Sequence, residues 1–402
     1  MGFDKPAVLW MWSYLCGRSQ CVYVDGKFSD LEPVEVGVPQ GSVLGALLYI
    51  LFVNDLPEVV HGHLGASQPD HGQSEAAHEH LGDGQGESVQ GHIGVGKVCQ
   101  VQGEDKNKII YNINCRTCGT LCCYVDDSTY MCSGSDPAQL SSKLSSQYKM
   151  LATYMGDNKL VINNDKTHLL VMGGRRHAAL RQQVSIDTGT VVVTPVETEK
   201  LLGLNIHQSL KWKEHVLDSK KSMVNTLTTR LNALKQVSRN ASFKTRLMVA
   251  NACFMSIITY MVAVWGGTEE YVIRAVQVMQ NKAARCVTKL SWYTPTRILL
   301  QQCNWLSIKQ LVFYHTVLQV WKVKLSQAPV YIHSKLIPAN TRSAALGTLL
   351  VPAVEKSLIR KSFMVRYIAA WNTVPPEIRN LKKLETFKKK IKQWTKMNIE
   401  IV

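Results

Sequence analysis

The stretch Gly119-Thr120-Leu121-Cys122-Cys123-Tyr124-Val125-Asp126-Asp127-Ser128-Thr129-Tyr130-Met131-Cys132 decides how the rest of the chain is read. Two short runs of apolar and β-favouring residues, 121–125 and 128–132, flank a pair of acids, the pattern of a β-hairpin with Asp126 and Asp127 at its tip. Asp-Asp is a good turn dipeptide in its own right. Two adjacent like charges nevertheless repel, and a divalent cation removes that penalty. Mg²⁺ takes a few carboxylate oxygens and leaves its other positions to water and substrate phosphates, so a tip pair of aspartates beside a basic surface suits phosphoryl chemistry.

Downstream, Asp136 as N-cap and Pro137 in the first turn start a helix whose Leu140, Leu144, Tyr148, Leu151 and Met155 recur at spacings of three and four. Residues 160–162 and 169–172 read as strands around Asn163-Asn164-Asp165-Lys166, and 191–193 and 201–206 as two more. From about 213 onward the periodicity is helical with Lys and Arg on the polar faces, and Gly266-Gly267 stops the longest helix. Upstream, 5–17 reads as a helix and 21–24 and 34–38 as strands around the turn Asp25-Gly26. Gly37 to Ser42 is a loop that permits close backbone approach, leading into a buried apolar helix over 43–53. The expected class is α+β, a mixed or antiparallel sheet with helices followed by an all-α region.

Residues 61–107 hold ten Gly and six of the 12 His, with no Phe, Trp or Tyr. Nothing there can bury a core, and the segment is expected to be a disordered insertion. Gly91 to Lys97 has P-loop spacing, but Val98 stands where Ser or Thr should ligate Mg²⁺ and no strand precedes it. The histidines could join Cys115, Cys118 and Cys122 on a metal; their irregular spacing argues against it.

The 402 residues carry a formal charge of +16, and 46% are hydrophobic, which excludes a wholly disordered chain, a coiled coil and a disulfide miniprotein. Residues 1–100 hold 4 Lys/Arg against 12 Asp/Glu, leaving 42 against 18 in the remainder. That remainder looks made for a polyanion, with nucleic acid the commonest partner. Eleven cysteines in no repeating pattern read as reduced thiols of an intracellular protein. No secretory signal is expected, and 248–265, which contains Asn251, Ser256 and Thr259, reads as a buried helix and not a membrane span.

Gly37-Val38-Pro39-Gln40-Gly41-Ser42-Val43-Leu44-Gly45, followed by Phe52-Val53-Asn54-Asp55-Leu56-Pro57, resembles palm motif B of the reverse transcriptases of non-LTR, LINE-like retrotransposons. Tyr124-Val125-Asp126-Asp127 resembles their motif C. Asn158-Lys159-Leu160, Asn163 and Lys166-Thr167 resemble motif D, and Leu202-Gly203 near Trp212 resembles the passage from palm to thumb. Gln280 to Arg285, Trp305-Leu306-Ser307, Trp371-Asn372 and Phe387 to Lys390 resemble the helical region beyond. The resemblance implies a partial polymerase palm with motif B over 1–60, the insertion over 61–107, the rest of the palm over 108–210, a helical thumb over 211–266 and a helical C-terminal region over 267–402.

It also implies roles. Asp126 would ligand catalytic Mg²⁺ or Mn²⁺ with Asp127 beside it. Gly37, Pro39, Gln40, Gly41 and Tyr124 would lie against template, primer end and incoming dNTP, and Lys166 would protonate the departing pyrophosphate. Lys220, Lys221, Arg230, Lys244 and Arg246 would contact the phosphates of an RNA template and DNA primer, with no membrane involved. Motif A, with its further metal-binding aspartate, and the fingers are expected before Met1 in a missing N-terminal polymerase or endonuclease segment. On that reading the chain alone is inactive; the alternative is a non-catalytic basic remnant that binds nucleic acid.

Overall fold

The computed structural model describes residues 4–34, 37–38, 42, 44–53, 56, 112–115, 119–124, 126–173, 178–327, 329–339, 346–352 and 363–400. The expected insertion, Pro39 to Gly41 and Cys118 lie outside these. The elements are mixed helix and strand with small antiparallel sheets, an α+β chain. They divide into two units with the boundary at Ile162/Asn163.

In the first unit, helix Lys5–Leu15 starts at Asp4, whose carboxylate accepts from Ala7 N at 3.0 Å, with Pro6 in the first turn. The strands that follow are two residues each, and of the strand expected over 34–38 the described residues Val34, Gly37 and Val38 lie outside any strand. Tyr23–Val24 pairs with Lys27–Phe28 around Asp25 and Gly26, both at positive φ, and Ser19–Gln20 pairs with Glu32–Pro33. The apolar run forms helix Gly45–Phe52, with Ser42 Oγ accepting from Gly45 N at 2.9 Å. A three-stranded antiparallel meander, Asn112–Cys115, Gly119–Tyr124 and Asp127–Met131, then leads into helix Pro137–Asp157, capped by Asp136 as expected. Val53, Leu56, Leu121, Tyr154 and Met155 form one core, with Tyr49, Cys123, Tyr130, Leu151, Leu160 and Ile162 packed against it.

The second unit opens with two hairpins. The segment 201–206, expected as one strand, ends one strand and begins the next: Thr198–Leu201 pairs with Leu204–His207 in a hairpin whose turn is 202–203. Leu202 at φ 46° and Gly203 at φ 83° reverse the chain, and Tyr260 Oη donates to the Leu202 carbonyl at 2.5 Å. Residues 169–172 form no strand; Leu169 makes only an isolated bridge to Pro195. The remainder is helical around two cores. One gathers Leu227, Leu231, Phe254, Ile258, Trp265, Val276 and Leu299; the other gathers Val317, Trp321, Ile368, Trp371, Phe387 and Ile391. Helix Ile308–Ser326 contributes to both, through Ile308 and Leu311 at one end and residues 317–323 at the other. Apolar periodicity alone does not reveal such sharing.

The helix expected over 248–265 is broken into pieces: Phe243–Ala250, a π turn Asn251–Met255, Ser256–Thr259 and, beyond Met261 at φ 46°, Val262–Trp265. No helix among the described residues is long and apolar enough to cross a membrane. Gly266 ends the last piece with φ −66°, so its lack of a side chain serves space and not backbone freedom. A Cβ there would collide with Val312 and with the Val262 carbonyl, and one on Gly267 with the guanidinium of Arg366. That guanidinium donates to the Ala263 carbonyl at 3.0 Å.

Two predictions follow from this packing. Gly266→Ala lowers stability by about 1–3 kcal/mol through overpacking, whereas Gly156→Ala, on a helix with nothing within 4 Å of the new methyl, is neutral or stabilising by up to about 1 kcal/mol; denaturant titration of both variants checks the pair. His215 is buried and His315 half-buried, and desolvation lowers both pKa values, with Lys322 adding to the effect at His315. An unfolded imidazole takes its proton near pH 6.5, while the folded ones resist protonation. Stability from these groups is therefore complete above about pH 6.5 and falls as pH drops toward their lower folded values. His215→Gln with His315→Gln is expected to flatten that fall in melting temperatures measured between pH 7 and pH 5.

Candidate functional site

Register sets the acidic tip. Tyr124 pairs directly with Asp127, so of the expected turn pair Asp126-Asp127 the second residue belongs to a strand and only Asp126 lies in the turn. Asp127 is the first residue of its strand and shares a face with Tyr124, because directly paired residues point the same way. The opposite face carries Leu121, Cys123 and Tyr130 into the core. Asp126, Asp127 and Tyr124 are all exposed, Tyr124 at 59%. Neither carboxylate is tied up in an ion pair among the described residues.

Tyr49, on helix Gly45–Phe52, connects the tip to the preceding motif. Its hydroxyl is held above its ordinary pKa first by burial, then by Cys123 and by the carboxylate of Asp126. Asp126 is thus electrostatically coupled to the helix that follows the glycine loop, while Asp127 faces the side of Tyr124. Sequence reading passed over Tyr49 because it sits inside an apolar run; its polar hydroxyl in that run was the available signal. Of the glycine loop itself, Gly37 is described. It takes φ 89°, a conformation glycine tolerates best, and its carbonyl accepts from Arg18 Nη2 at 2.5 Å.

Lys166 lies in the second unit, exposed, at the end of the 3₁₀ turn Asn164–Lys166. Asn163 builds that turn: its Oδ1 accepts from Asp165 N at 3.0 Å and Lys166 N at 3.3 Å. Ahead of it, Lys159 turns the chain at φ 58° while Leu160 N donates to the Met155 carbonyl at 2.7 Å.

On helices Met223–Ser238 and Phe243–Ala250, Arg230 and Lys244 are exposed, as are Lys220 and Lys221 just ahead of the first. Arg246 departs from the surface role expected of it. It is 7% exposed, and it donates from Nε to the Val287 carbonyl and from Nη1 to that of Ala241, both at 2.7 Å. The last carbonyls of helix Glu270–Thr288 lack partners within the helix, and a buried arginine supplies one.

Of the polar residues read from the region beyond 267, Gln280 and Ser307 are likewise internal, while Lys282, Lys389 and Lys390 are exposed. Gln280 is fully buried and donates to the Leu306 carbonyl at 2.8 Å; Gln277 bridges it to Ile308 N at 2.9 Å. Among the described residues no three His, Cys, Asp or Glu side chains converge as a metal-holding group. Cys115, Cys118 and the six histidines of the alternative metal reading have no described side chains. The eight cysteines whose side chains are described are free thiols.

Comparison with known proteins agrees with the motifs. Over 351 residues, 84% of this chain, it is 22% identical to a probable RNA-directed DNA polymerase from transposon BS of Drosophila melanogaster. Over 295 residues it is 19% identical to the RNA-directed DNA polymerase from mobile element jockey of the same fly, and a 46-residue stretch is 50% identical to the probable polymerase from transposon X-element. The matches span 31%, 26% and 5% of those relatives' lengths. No family model and no solved structure matches the chain. The chain is a relative of proteins named as RNA-directed DNA polymerases. Those relatives are the products of Drosophila mobile elements, as the retrotransposon-like motifs led us to expect.

Neutralising Lys220, Lys221, Arg230 and Lys244 together is expected to leave the fold intact, to weaken duplex binding and to lower the slope of log affinity against log salt by up to about 3–4. Arg246→Gln should do the reverse, costing on the order of 1–3 kcal/mol of stability because buried carbonyls lose their donors. Salt titrations of binding beside denaturant unfolding separate the two effects.

Proposed function

We propose that the chain is the motif-C-bearing part of a retrotransposon RNA-directed DNA polymerase, with palm elements over 1–60 and 108–210, a thumb over 211–266 and trailing helices over 267–402. The observation that carries this reading is the exposed Asp126/Asp127 tip, on a hairpin whose inner face shares a core with the helix after the glycine loop. Two hard carboxylate donors, both solvent-facing and neither in an ion pair among the described residues, fit Mg²⁺ or Mn²⁺, which keep most of their positions for water and phosphate oxygens.

Asp126 would hold the metal directly, with Asp127 as the second carboxylate. When bound, such ions polarise the phosphoryl group and lower the pKa of the attacking primer hydroxyl. Tyr124, on the face of Asp127, would support the primer end; Gly37, with Pro39, Gln40 and Gly41, would pass close to template and dNTP. Lys166 would donate the proton to pyrophosphate, and the exposed lysines and arginine of residues 220–244 would hold RNA template and DNA primer by their phosphates.

The 402-residue chain alone is proposed not to extend a primer. A transition state held by two carboxylates alone would lack much of the electrostatic stabilisation that a further acid supplies. Two measurements test this. Mn²⁺ titrations followed by electron paramagnetic resonance should show binding that Asp126→Asn weakens at least tenfold; no difference between the proteins sinks the metal assignment. Primer extension on an RNA template should give no product, and Mg²⁺-dependent incorporation that disappears in Asp126→Ala would refute the inactivity. Salt-sensitive nucleic-acid binding without a metal site would instead favour a non-catalytic binding remnant, a reading supported by the exposed basic residues of the second unit.

A further inference from the structure

From Ser219 to Val354 the chain contains 17 Lys/Arg and only two acids, Glu269 and Glu270. Glu270 is engaged by Lys309 at 2.9 Å and by Arg274 at 3.6 Å. Within this basic tract, the loop after helix Glu270–Thr288 does something a merely soluble surface does not: it presents two adjacent large aromatics to solvent. Trp292 is 66% exposed and Tyr293 91%.

The loop is built to hold them. Lys289 reverses the chain at φ 58°, and its Nζ donates to the Arg239 carbonyl at 3.4 Å. Arg285 donates from Nη2 to the carbonyls of Trp292 and Thr294, at 3.0 and 3.5 Å. The same guanidinium lies 4.6 Å from the centroid of the Trp292 ring, covering one face of the indole. Lys282, Lys289 and Arg297 are exposed on the elements flanking the loop.

An aromatic ring stacked on one side by a cation, open on the other and set among basic side chains has the attributes of a nucleobase platform. Bases of any sequence have a π face, and phosphates on either side of a stacked base need cations. A duplex keeps its bases stacked on each other and has none to offer.

We propose that Trp292 and Tyr293 form a stacking site for unpaired bases of single-stranded nucleic acid, with Lys282, Lys289 and Arg297 as its phosphate contacts. The site uses no residue of the acidic tip and does not rest on the polymerase assignment. The ligand chemistry, an unpaired base between phosphodiesters, is common to single-stranded RNA and DNA.

The test uses the full chain, fluorescein-labelled oligo(U) and oligo(dT) of 20 nucleotides, and a 20-base-pair duplex, with affinity read by anisotropy. Trp292→Ala/Tyr293→Ala is expected to weaken binding of at least one single strand tenfold or more, to leave duplex binding within twofold, and to keep the wild-type melting temperature, since both side chains are exposed. Trp292→Phe/Tyr293→Phe should restore at least half of the lost affinity on a logarithmic scale. A loss with oligo(U) only identifies RNA as the ligand, a loss with oligo(dT) only identifies DNA, and a loss with both identifies either strand. Absence of single-strand binding by the unmodified chain, an unchanged affinity in the alanine variant, or an equal loss with the duplex overturns the proposal. Asp126→Asn should leave these affinities unaltered, so a failed metal site and a failed stacking site are separately visible.

Discussion

A two-residue turn between antiparallel strands leaves little freedom in where side chains point. Once Tyr124 is paired with Asp127, Leu121, Cys123 and Tyr130 must face one way, and Thr120, Cys122, Tyr124 and Asp127 the other. The apolar set is taken up by helices Gly45–Phe52 and Pro137–Asp157, and that burial pins the register. A slip of one residue would put Leu121 in solvent and Asp127 against the core. The hydrophobic contact thereby holds two like charges at an exposed tip, where their mutual repulsion is moderated by water and where a cation can reach them.

The second unit is organised by a different constraint, the need to satisfy backbone groups inside an all-helical core. Helix ends leave carbonyls and amides without partners, and burial makes those vacancies costly. Arg246 answers for Val287 and Ala241, Gln280 for Leu306, Gln277 for Ile308, and Trp321 and Trp371 for the carbonyls of Leu381 and Gly347. Helix Ile308–Ser326 carries apolar side chains into both cores, and the capping box formed by Ser307 and Gln310 anchors its start. Among the described basic residues of this unit, Arg246 is a structural donor turned inward while Lys220, Lys221, Arg230 and Lys244 are exposed, a distinction with direct bearing on which of them can meet a phosphate.

Local signals were legible where the physics was local. Asp136-Pro137 named the start of its helix and Asp25-Gly26 named a turn. The alternation around Asp126 was enough to expect a hairpin, though not to place its turn, since Asp127 is acceptable either in the turn or at the start of the strand and the choice rests on which face meets the helices. Strand expectations over 160–162 and 169–172 failed because Leu160, Ile162 and Leu169 are drawn into packing while only Leu169 finds a bridge partner. Gly266-Gly267 looked like a helix stop and is one, but the glycines are needed because Val312 and Arg366 crowd them.

From its residue order alone the chain declared an α+β organisation, a polyanion-seeking basic majority, and the kinship later seen with transposon-encoded polymerases, because composition, periodicity and short motifs are local properties that survive without knowledge of neighbours. Tertiary structure alone decided which of two similar side chains is spent inside and which is left outside: Arg246 against Lys244, the buried tryptophans 265 and 371 against the exposed Trp292. The reason is that burial and partnership depend on residues distant in sequence, and the charge or ring a side chain offers to a ligand is only what its own fold has not already used.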